Sequence, residues 1–433
     1  MRVLHVNKYL HRRGGAEAHM LDLAAAQRRA GHEVALWGMA PADTREQPGD
    51  PGVLHGVLAP ALELEPPPPG AAARVRAAAS TVWSVPAQRA MAAALERFSP
   101  DVVHCHNIYH QLSPSVLAPV RRRGVRAVMT LHDYKLVCPS YQMLAGGRPC
   151  QGCVRPGLAG PLQALRHRCK GSLGASAVVA VESTLHRAGD AYGSLAALVA
   201  PSRFLADVLA RAGVGDGRVH VVRNPVGLVP AERLVPAADR RGLVVAGRLS
   251  PEKGVDVAVR AMAHLPGAHL VVAGDGPARA DLEALAARVA PGRVRFTGRL
   301  PAPEVEALVT GAVAVAVPSR WYENAPLAVT EALVAGVPPV VSDLGGAPEL
   351  VRDGVDGLVV PPEDPAALAA ALRRLLVDPA AAGRMGAAGR ERVAREHDAD
   401  AHVRRLEEIY SGAATPEPAP VRAPSRRRAS ARG

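Results

Sequence analysis

Ser319-Arg-Trp-Tyr-Glu-Asn-Ala-Pro-Leu-Ala-Val-Thr-Glu-Ala-Leu-Val-Ala-Gly-Val-Pro-Pro-Val-Val-Ser-Asp343 decides how this chain is read. It follows Ala312–Val317, a short apolar run with the composition of a parallel strand buried on both faces. Pro318-Ser319 breaks that strand, and a helical pattern begins near Pro326 and runs to Ala335. Glu323 falls in the turn before the helix and Glu331 within it, so the spacing predicts two carboxylates facing one cleft. The backbone around Asn324, Ala325, Pro326 and Leu327 forms the helix entrance, where unpaired N–H groups favour phosphate. Gly336 ends the helix and Pro338–Ser342 begins the next strand. Two glutamates at this spacing are also compatible with a solvated surface, so the rest of the chain has to arbitrate.

Working outward, the second half alternates regularly. Strands are predicted at Gly242–Gly247, His269–Gly274, Arg293–Thr297, Ala312–Val317 and Pro338–Ser342. Helices fall between them at Val255–His264, Arg279–Ala290, Pro303–Thr310 and Pro326–Ala335. This is the pattern of an α/β, doubly wound parallel sheet. After its first strand come Gly247, Arg248 and, five residues on, Lys253-Gly254. Arg248 and Lys253 can clamp a diphosphate with one forked cation and one point charge, or form an ordinary surface pair. Gly274-Asp275-Gly276 and Gly298-Arg299-Leu300 put further loops at strand ends, where such sheets bind nucleotides.

The first half repeats the theme. A strand at Arg2–Asn7 leads through a loop to Gly14-Gly15 and a helix at Ala16–Ala30, then a strand at Glu33–Trp37. The glycines do not follow G-x-G-x-x-G and no acidic residue ends the second strand, which argues against a dinucleotide cofactor. The paired glycines fit close phosphate approach or a plain tight turn. Residues 41–70 are Pro/Gly-rich loop, and Ala71–Phe98 reads as one helix whose arginines form a solvated or a membrane-facing stripe. Asp101–Tyr109, strand then loop, and a strand at Arg126–Leu131 deliver His104, His106, His132 and Asp133 to a ligand-binding edge. The histidines lack the carboxylate–histidine spacing of a metal centre. Cys138, Cys150, Cys153 and Cys169, spaced C-x11-C-x2-C-x15-C, are compatible with a structural zinc, free thiols or a redox pair.

Composition sets outer bounds. A chain of 433 residues suffices for two domains, and with only 3 Phe its cores are aliphatic. The net charge of +12 does not indicate nucleic acid, because part of it sits in the Arg-rich tail and no stacking aromatics accompany it. It does suit acidic headgroups or a pyrophosphate-bearing acceptor. Lysine is rare, at Lys8, Lys135, Lys170 and Lys253 alone, which sharpens the interest of Lys253. The opening Met1-Arg-Val-Leu-His-Val reads as a strand and not as a secretory signal, which predicts a cytoplasmic protein with reduced thiols.

Over roughly residues 1–410 the chain resembles the family 4 retaining glycosyltransferases. The resemblance rests on Gly14-Gly15, His132-Asp133, Arg248 with Lys253-Gly254, Asn224 in the entry to the second domain, and Glu323-Asn324-Ala325-Pro326-Leu327 with Glu331. It implies the GT-B fold: two Rossmann-like domains facing across a cleft, with a C-terminal helix crossing back to the first. The expected divisions are an acceptor-side domain at 1–198 with a Cys-containing insertion near 134–172, a donor domain at 199–398, a crossover helix at 399–411 and a disordered basic tail at 412–433.

The resemblance further implies retaining transfer of a sugar from a nucleoside diphosphate, UDP or GDP foremost, to a glycan, lipid-linked or small-molecule acceptor, without a catalytic metal. His132, Arg248, Lys253 and Glu323 would be the catalytic group. Gly14, Gly15, Asp133, Asn224, Gly247, Gly274, Arg299, Leu300, Asn324, Ala325, Pro326, Leu327 and Glu331 would bind substrate. Peripheral contact with the inner membrane face is a further expectation. Two rivals share these residues: an epimerase or hydrolase of the nucleotide sugar, and a non-catalytic nucleotide-sugar or membrane-surface binding protein.

Overall fold

Short apolar runs alternating with helices produce two parallel sheets of six strands each. The computed structural model describes residues 1–41, 49–64 and 69–416. Expectations for Pro66–Pro68 and for the tail beyond residue 416 lie outside the described residues. The first sheet comprises β1 (Arg2–Val6), β2 (Glu33–Trp37), β3 (Val102–Cys105) and β4 (Arg126–Thr130). After a small hairpin of β5 (Leu144–Ala145) and β6 (Arg148–Pro149), it continues with β7 (Ala197–Ala200) and β8 (Val219–Val221). Its order is β2-β1-β3-β4-β7-β8.

The second sheet comprises β9 (Leu243–Ala246), β10 (Leu270–Ala273), β11 (Val294–Gly298), β12 (Ala314–Val317), β13 (Pro339–Ser342) and β14 (Leu358–Val360), ordered β11-β10-β9-β12-β13-β14. In both sheets the order reverses at the first strand: between β1 and β3, and between β9 and β12. Chains leaving neighbouring strands there part to opposite sides, which opens a crevice at the carboxyl ends.

Both faces of each sheet are covered, so the strands are apolar throughout. Val3, Leu4 and Val6 of β1 and Ala314, Val315 and Ala316 of β12 are all but fully buried. Each such Val or Leu contributes about 1.5–3 kcal/mol on leaving water. The helix Ala399–Ser411 crosses back and sets Val403, Leu406, Ile409 and Tyr410 among Val3, Met20 and Leu23 of the first domain.

Three expectations need correction. A domain boundary at 198/199 would cut β7, because β7 and β8 both pair into the first sheet. The helix Arg203–Arg211 between them makes one more crossover unit, so the change of sheet comes between Val221 and Leu243. The single helix at Ala71–Phe98 is two, Ala71–Val82 and Val85–Phe98. Ser84 caps the second by accepting from Ala87 N, with Pro86 in its first turn, where a missing N–H costs nothing. The segment after the cysteines holds an unforeseen helix, Leu173–Ala188, capped by Ser172.

Candidate active site

The donor-side group is assembled at the β9/β12 reversal. The loop after β9 turns through Pro251–Lys253 and reaches Gly254, whose φ of +65° suits glycine. A Cβ there would stand 2.0 Å from the Pro318 carbonyl oxygen, so the bare backbone is what lets this loop lie against the end of β12. Lys253 Nζ thereby donates to Glu323 Oε1 at 2.8 Å and lies over the Trp321 ring, 5.1 Å from its centre. Ser319 Oγ donates to the same carboxylate oxygen at 2.7 Å. The backbone of Glu323 is held in turn by Gly346 N, which donates to its carbonyl at 2.7 Å.

Around this group the glycine loops stack edge to edge. Gly247 N donates to Ala273 O, and Gly274 N to Gly298 O, each at 2.9 Å. Arg248 is exposed and lines the cleft cavity. Arg299 and Leu300 follow β11, the outer strand, and so lie further along the same edge. The helix Leu327–Val334 carries Glu331, which is exposed but whose carboxyl is pushed up by desolvation. A group open on one side and crowded on the others has both properties. Asn224 stands apart: it lies in the connection between the sheets, its carbonyl 2.7 Å from His397 Nδ1.

The two domains meet directly at Asn324. Its Nδ2 donates to the Leu131 carbonyl of the first domain at 3.0 Å, and its Oδ1 accepts from Ser202 Oγ at 2.8 Å. Glu349 accepts from Arg203 N and Phe204 N at 2.8 and 2.6 Å, capping a first-domain helix from the second domain. Phe204 stacks on Tyr322 with ring centres 5.0 Å apart. A Cβ built on Gly15 would come within 3.3 Å of Leu327. These contacts set Gly15 and Leu131, with His132 next in the chain, against the Asn324–Leu327 turn of the second domain.

His132 ends a buried chain of imidazoles. His132 Nε2 is 2.9 Å from His106 Nδ1, His106 Nε2 is 3.0 Å from His5 Nδ1, and His5 Nε2 is 2.6 Å from Gln27 Oε1. Gln27 Nε2 donates to Tyr410 OH at 2.9 Å, and Tyr410 OH lies 2.6 Å from His104 Nδ1. The Gln27 oxygen can only accept. His5 must therefore donate from Nε2, His106 from Nε2 and His132 from Nε2, which leaves Nδ1 of His132 as the unprotonated end. Burial pushes His132 and His5 down to about 4, so both are neutral near pH 7. His5, His104 and His106 are close enough to chelate a cation, but every ring nitrogen among them is already spent on this chain or on Thr130.

Residues 13–228 match the model described as Glycosyltransferase Family 4, and residues 232–392 that of the glycosyl transferases group 1. Glycogen synthase of Mycobacterium tuberculosis is 30% identical over 420 residues, spanning 92% of this chain and 91% of its own. The chain belongs to the family 4, group 1 glycosyltransferases. Alpha-D-kanosaminyltransferase of Streptomyces kanamyceticus is 38% identical over 152 residues, 34% of this chain and 39% of that one. Among solved structures, sucrose-phosphate synthase of Thermosynechococcus elongatus superposes with a TM-score of 0.70 at 21% identity, covering 95% of this chain and 98% of that one. HepE of Anabaena, solved with UDP-glucose, does so at 0.66 and 18% identity over 95% of this chain and 100% of that one. The fold is GT-B.

Beside the donor-side group lies a buried polar cluster whose Lys135, His110 and Glu182 the sequence did not mark. A cavity of about 950 Å³ runs from Arg248 into the first domain, past Lys8, Arg13, His110 and Glu182. At its floor Lys135 Nζ donates to Glu182 Oε2 at 2.8 Å, and His110 Nδ1 is 3.3 Å from Oε1. Burial pushes the Glu182 carboxyl up, but Lys135 and His110 outweigh it and hold it down at about 2. Asp133 joins from the side, accepting from Lys135 N at 2.9 Å, with its carboxyl raised by desolvation. The available signal was that Lys135 is one of only four lysines and directly follows the His132-Asp133-Tyr134 run.

Proposed function

We propose that this glycosyltransferase moves a sugar from a UDP or GDP donor, with retention, to a lipid-linked or glycan acceptor held in the first-domain cavity. Lys253 beside Glu323 at the strand reversal, with Arg248 across the loop, is the observation that carries the reading. As the anomeric C–O bond breaks, negative charge gathers on the departing diphosphate and positive charge on the sugar ring. Arg248, Lys253 and the N–H groups opening the helix Leu327–Val334 meet the first charge, and Glu323 the second. The acceptor oxygen bonds to the same face of the anomeric carbon, and its proton passes to the departing diphosphate oxygen. Glu331 holds ribose hydroxyls, and His132 and Asp133 position the sugar from the opposite domain. UDP and GDP are favoured because HepE was solved with UDP and UDP-glucose, and a Mycolicibacterium smegmatis relative, 36% identical over 185 residues, is named a GDP-mannose-dependent mannosyltransferase.

The lipid-linked acceptor is supported by the outer wall of the cavity. Ala78 and Val178, from the helices Ala71–Val82 and Leu173–Ala188, line it, and Val75, Trp83, Val181 and Leu185 beside them are exposed. Apolar side chains next to Arg74 and Arg76 suit an anionic bilayer surface. No helix among the described residues is long and apolar enough to cross a membrane, so the contact is peripheral. A thermal-shift screen against UDP, GDP, ADP and dTDP tests the donor reading, since a ligand of the folded state raises the midpoint by mass action. One nucleotide should shift it and lose that effect in Lys253→Ala; no shift at millimolar concentration sinks the reading. Flotation with phosphatidylglycerol vesicles tests the acceptor surface, and failure to float with them removes the membrane contact.

A further inference from the structure

The four cysteines of the insertion converge on one place. Cys138, Cys150, Cys153 and Cys169 line a closed cavity of about 10 Å³ together with His167, a volume suited to a single ion. Three separate segments bring them there. Cys138 ends a turn in which its N–H donates to Tyr134 O at 2.7 Å. Cys150 leaves the β5/β6 hairpin, whose Gly146-Gly147 turn has both φ values positive, and its N–H returns to Met143 O at 2.7 Å. Cys169 follows the short helix Gln163–Arg166. Val154 N donates to Gln151 O at 3.0 Å and closes the C-x2-C turn, within which Gly152 N donates to Cys150 Sγ at 3.4 Å, as a backbone N–H does to a ligand sulfur in a metal knuckle.

The insertion needs such a fastening. Val137, Cys138 and Met143 seat its first turns in the first-domain core, but beyond Val154 it has only Ala164, packed with Val179 and Ala180 of the next helix, and Leu165 and Cys169 against them. Between Cys138 and Leu173 its regular structure is limited to two two-residue strands and one four-residue helix. A stretch this poor in buried apolar surface needs a crosslink to hold one conformation. Thiolates converging from three segments suit zinc, which is satisfied by four sulfurs in a tetrahedron. The ring of sulfurs is looser than around a bound ion: among the described residues, the ligand sets with all atoms within 4.8 Å of one another are histidines. The side chains would draw in by rotation about χ1 on binding.

We propose that Cys138, Cys150, Cys153 and Cys169 bind one structural zinc ion that pins the lip of the acceptor cavity to the first sheet. All four positions are filled by protein, so this zinc does no chemistry on substrate. Its effect on the site passes through its neighbours. Tyr141 and Lys170, which both line the large cavity, lie between and beside the ligands, and Lys170 Nζ sits over the Tyr141 ring at 4.7 Å.

The test is elemental analysis of the full chain purified without added metal. About one zinc per chain is expected, falling below roughly a tenth in Cys150→Ser with Cys153→Ser. Cys105→Ser should retain it, since Cys105 is buried in β3. Because the double variant could misfold, wild-type protein gives the second readout: titration with a mercurial should release the zinc, and cobalt exchanged into the site should show thiolate charge-transfer absorption. Metal-free protein with five titratable thiols, or with fewer because disulfides have formed, overturns the proposal. So does zinc that survives in the folded double variant.

Discussion

Lys253 Nζ and Ser319 Oγ donate to the same oxygen of Glu323, at 2.8 and 2.7 Å. The lysine is therefore held in place by the carboxylate, and under the proposed donor reading its reorganisation on binding is small. Lys253→Ala should lower kcat by about 10²–10³, the usual cost of losing one preorganised donor to developing charge. Stability should fall by about 1–3 kcal/mol, because Glu323 is buried and would keep the Ser319 hydroxyl but lose its cation. Steady-state transfer kinetics beside a urea titration separate the two effects. A thermally intact Lys253→Ala with near-normal kcat would remove Lys253 from the catalytic group.

Gly254→Ala probes how that lysine is delivered. The new Cβ combines a left-handed φ of +65° with a clash against the Pro318 oxygen at 2.0 Å. The loop has to lift off β12, separating Lys253 from Glu323. A stability loss of at least about 1–2 kcal/mol is expected from the backbone alone. Activity should fall as in Lys253→Ala, and a crystal structure of the variant with the loop unmoved would refute this account.

The donor half was legible because its signals are local. Gly, Pro and a charge mark each strand end, and the chain reversal that joins Lys253 to Glu323 follows from the doubly wound pattern. What the reading missed depends on partners far away in sequence. His5, His106 and Tyr410 become one network only once β1 and β3 pair and the helix Ala399–Ser411 returns. Glu182 looked like any helical glutamate until Lys135 lay against it. The placement of β7 and β8 in the first sheet was misjudged because it is set by pairing with β4, a partner nearly seventy residues away that the local sequence does not show.

Glu331 tests the ribose assignment. Desolvation raises its carboxyl, and a carboxylate with incomplete hydration gains from hydroxyl donors, as the proposed ribose contact would supply. Glu331→Ala should raise the donor KM by about tenfold to a hundredfold, the worth of one charge-assisted hydrogen bond or a pair. Affinity for inorganic pyrophosphate, which has no ribose, should stay as it was. Equal losses for nucleotide and pyrophosphate in calorimetry would place Glu331 on the phosphates instead.

The 2.9 Å contact between His106 Nδ1 and His132 Nε2 sets which nitrogen of His132 is bare. His106→Phe keeps a flat ring in the stack but removes the acceptor. We expect kcat to fall by about tenfold, within the range for a misplaced proton-transfer or positioning group, with the donor KM nearly unchanged. Nitrogen NMR of the His132 ring should report the tautomer shifting in the variant. If the tautomer stays the same while kcat falls, His106 acts only by packing.

The same histidines make the fold acid-sensitive in a defined window. Burial pushes His5, His110, His132 and His402 down to about 4, and holds His19, His104 and His106 well below the ordinary histidine range. Folded, they bind fewer protons than the unfolded chain, whose histidines titrate near 6.5. Their contribution is thus complete above pH 6.5 and is lost as pH falls toward 4, each group costing about 1.4 kcal/mol per pH unit on the way. Glu182, held at about 2, contributes with the same sign but loses its share only below about 4.5, so its window begins where that of the histidines is nearly spent. Asp133 and Glu331, raised by desolvation, act in the opposite sense and soften the lower end. The urea midpoint should therefore hold from pH 8 to 7 and drop steeply by pH 5.5, with several protons taken up on unfolding. A midpoint flat from pH 7.5 to 5.5 would mean that the histidine chain is hydrated or already charged in the folded protein, and the tautomer argument for His132 would fall with it.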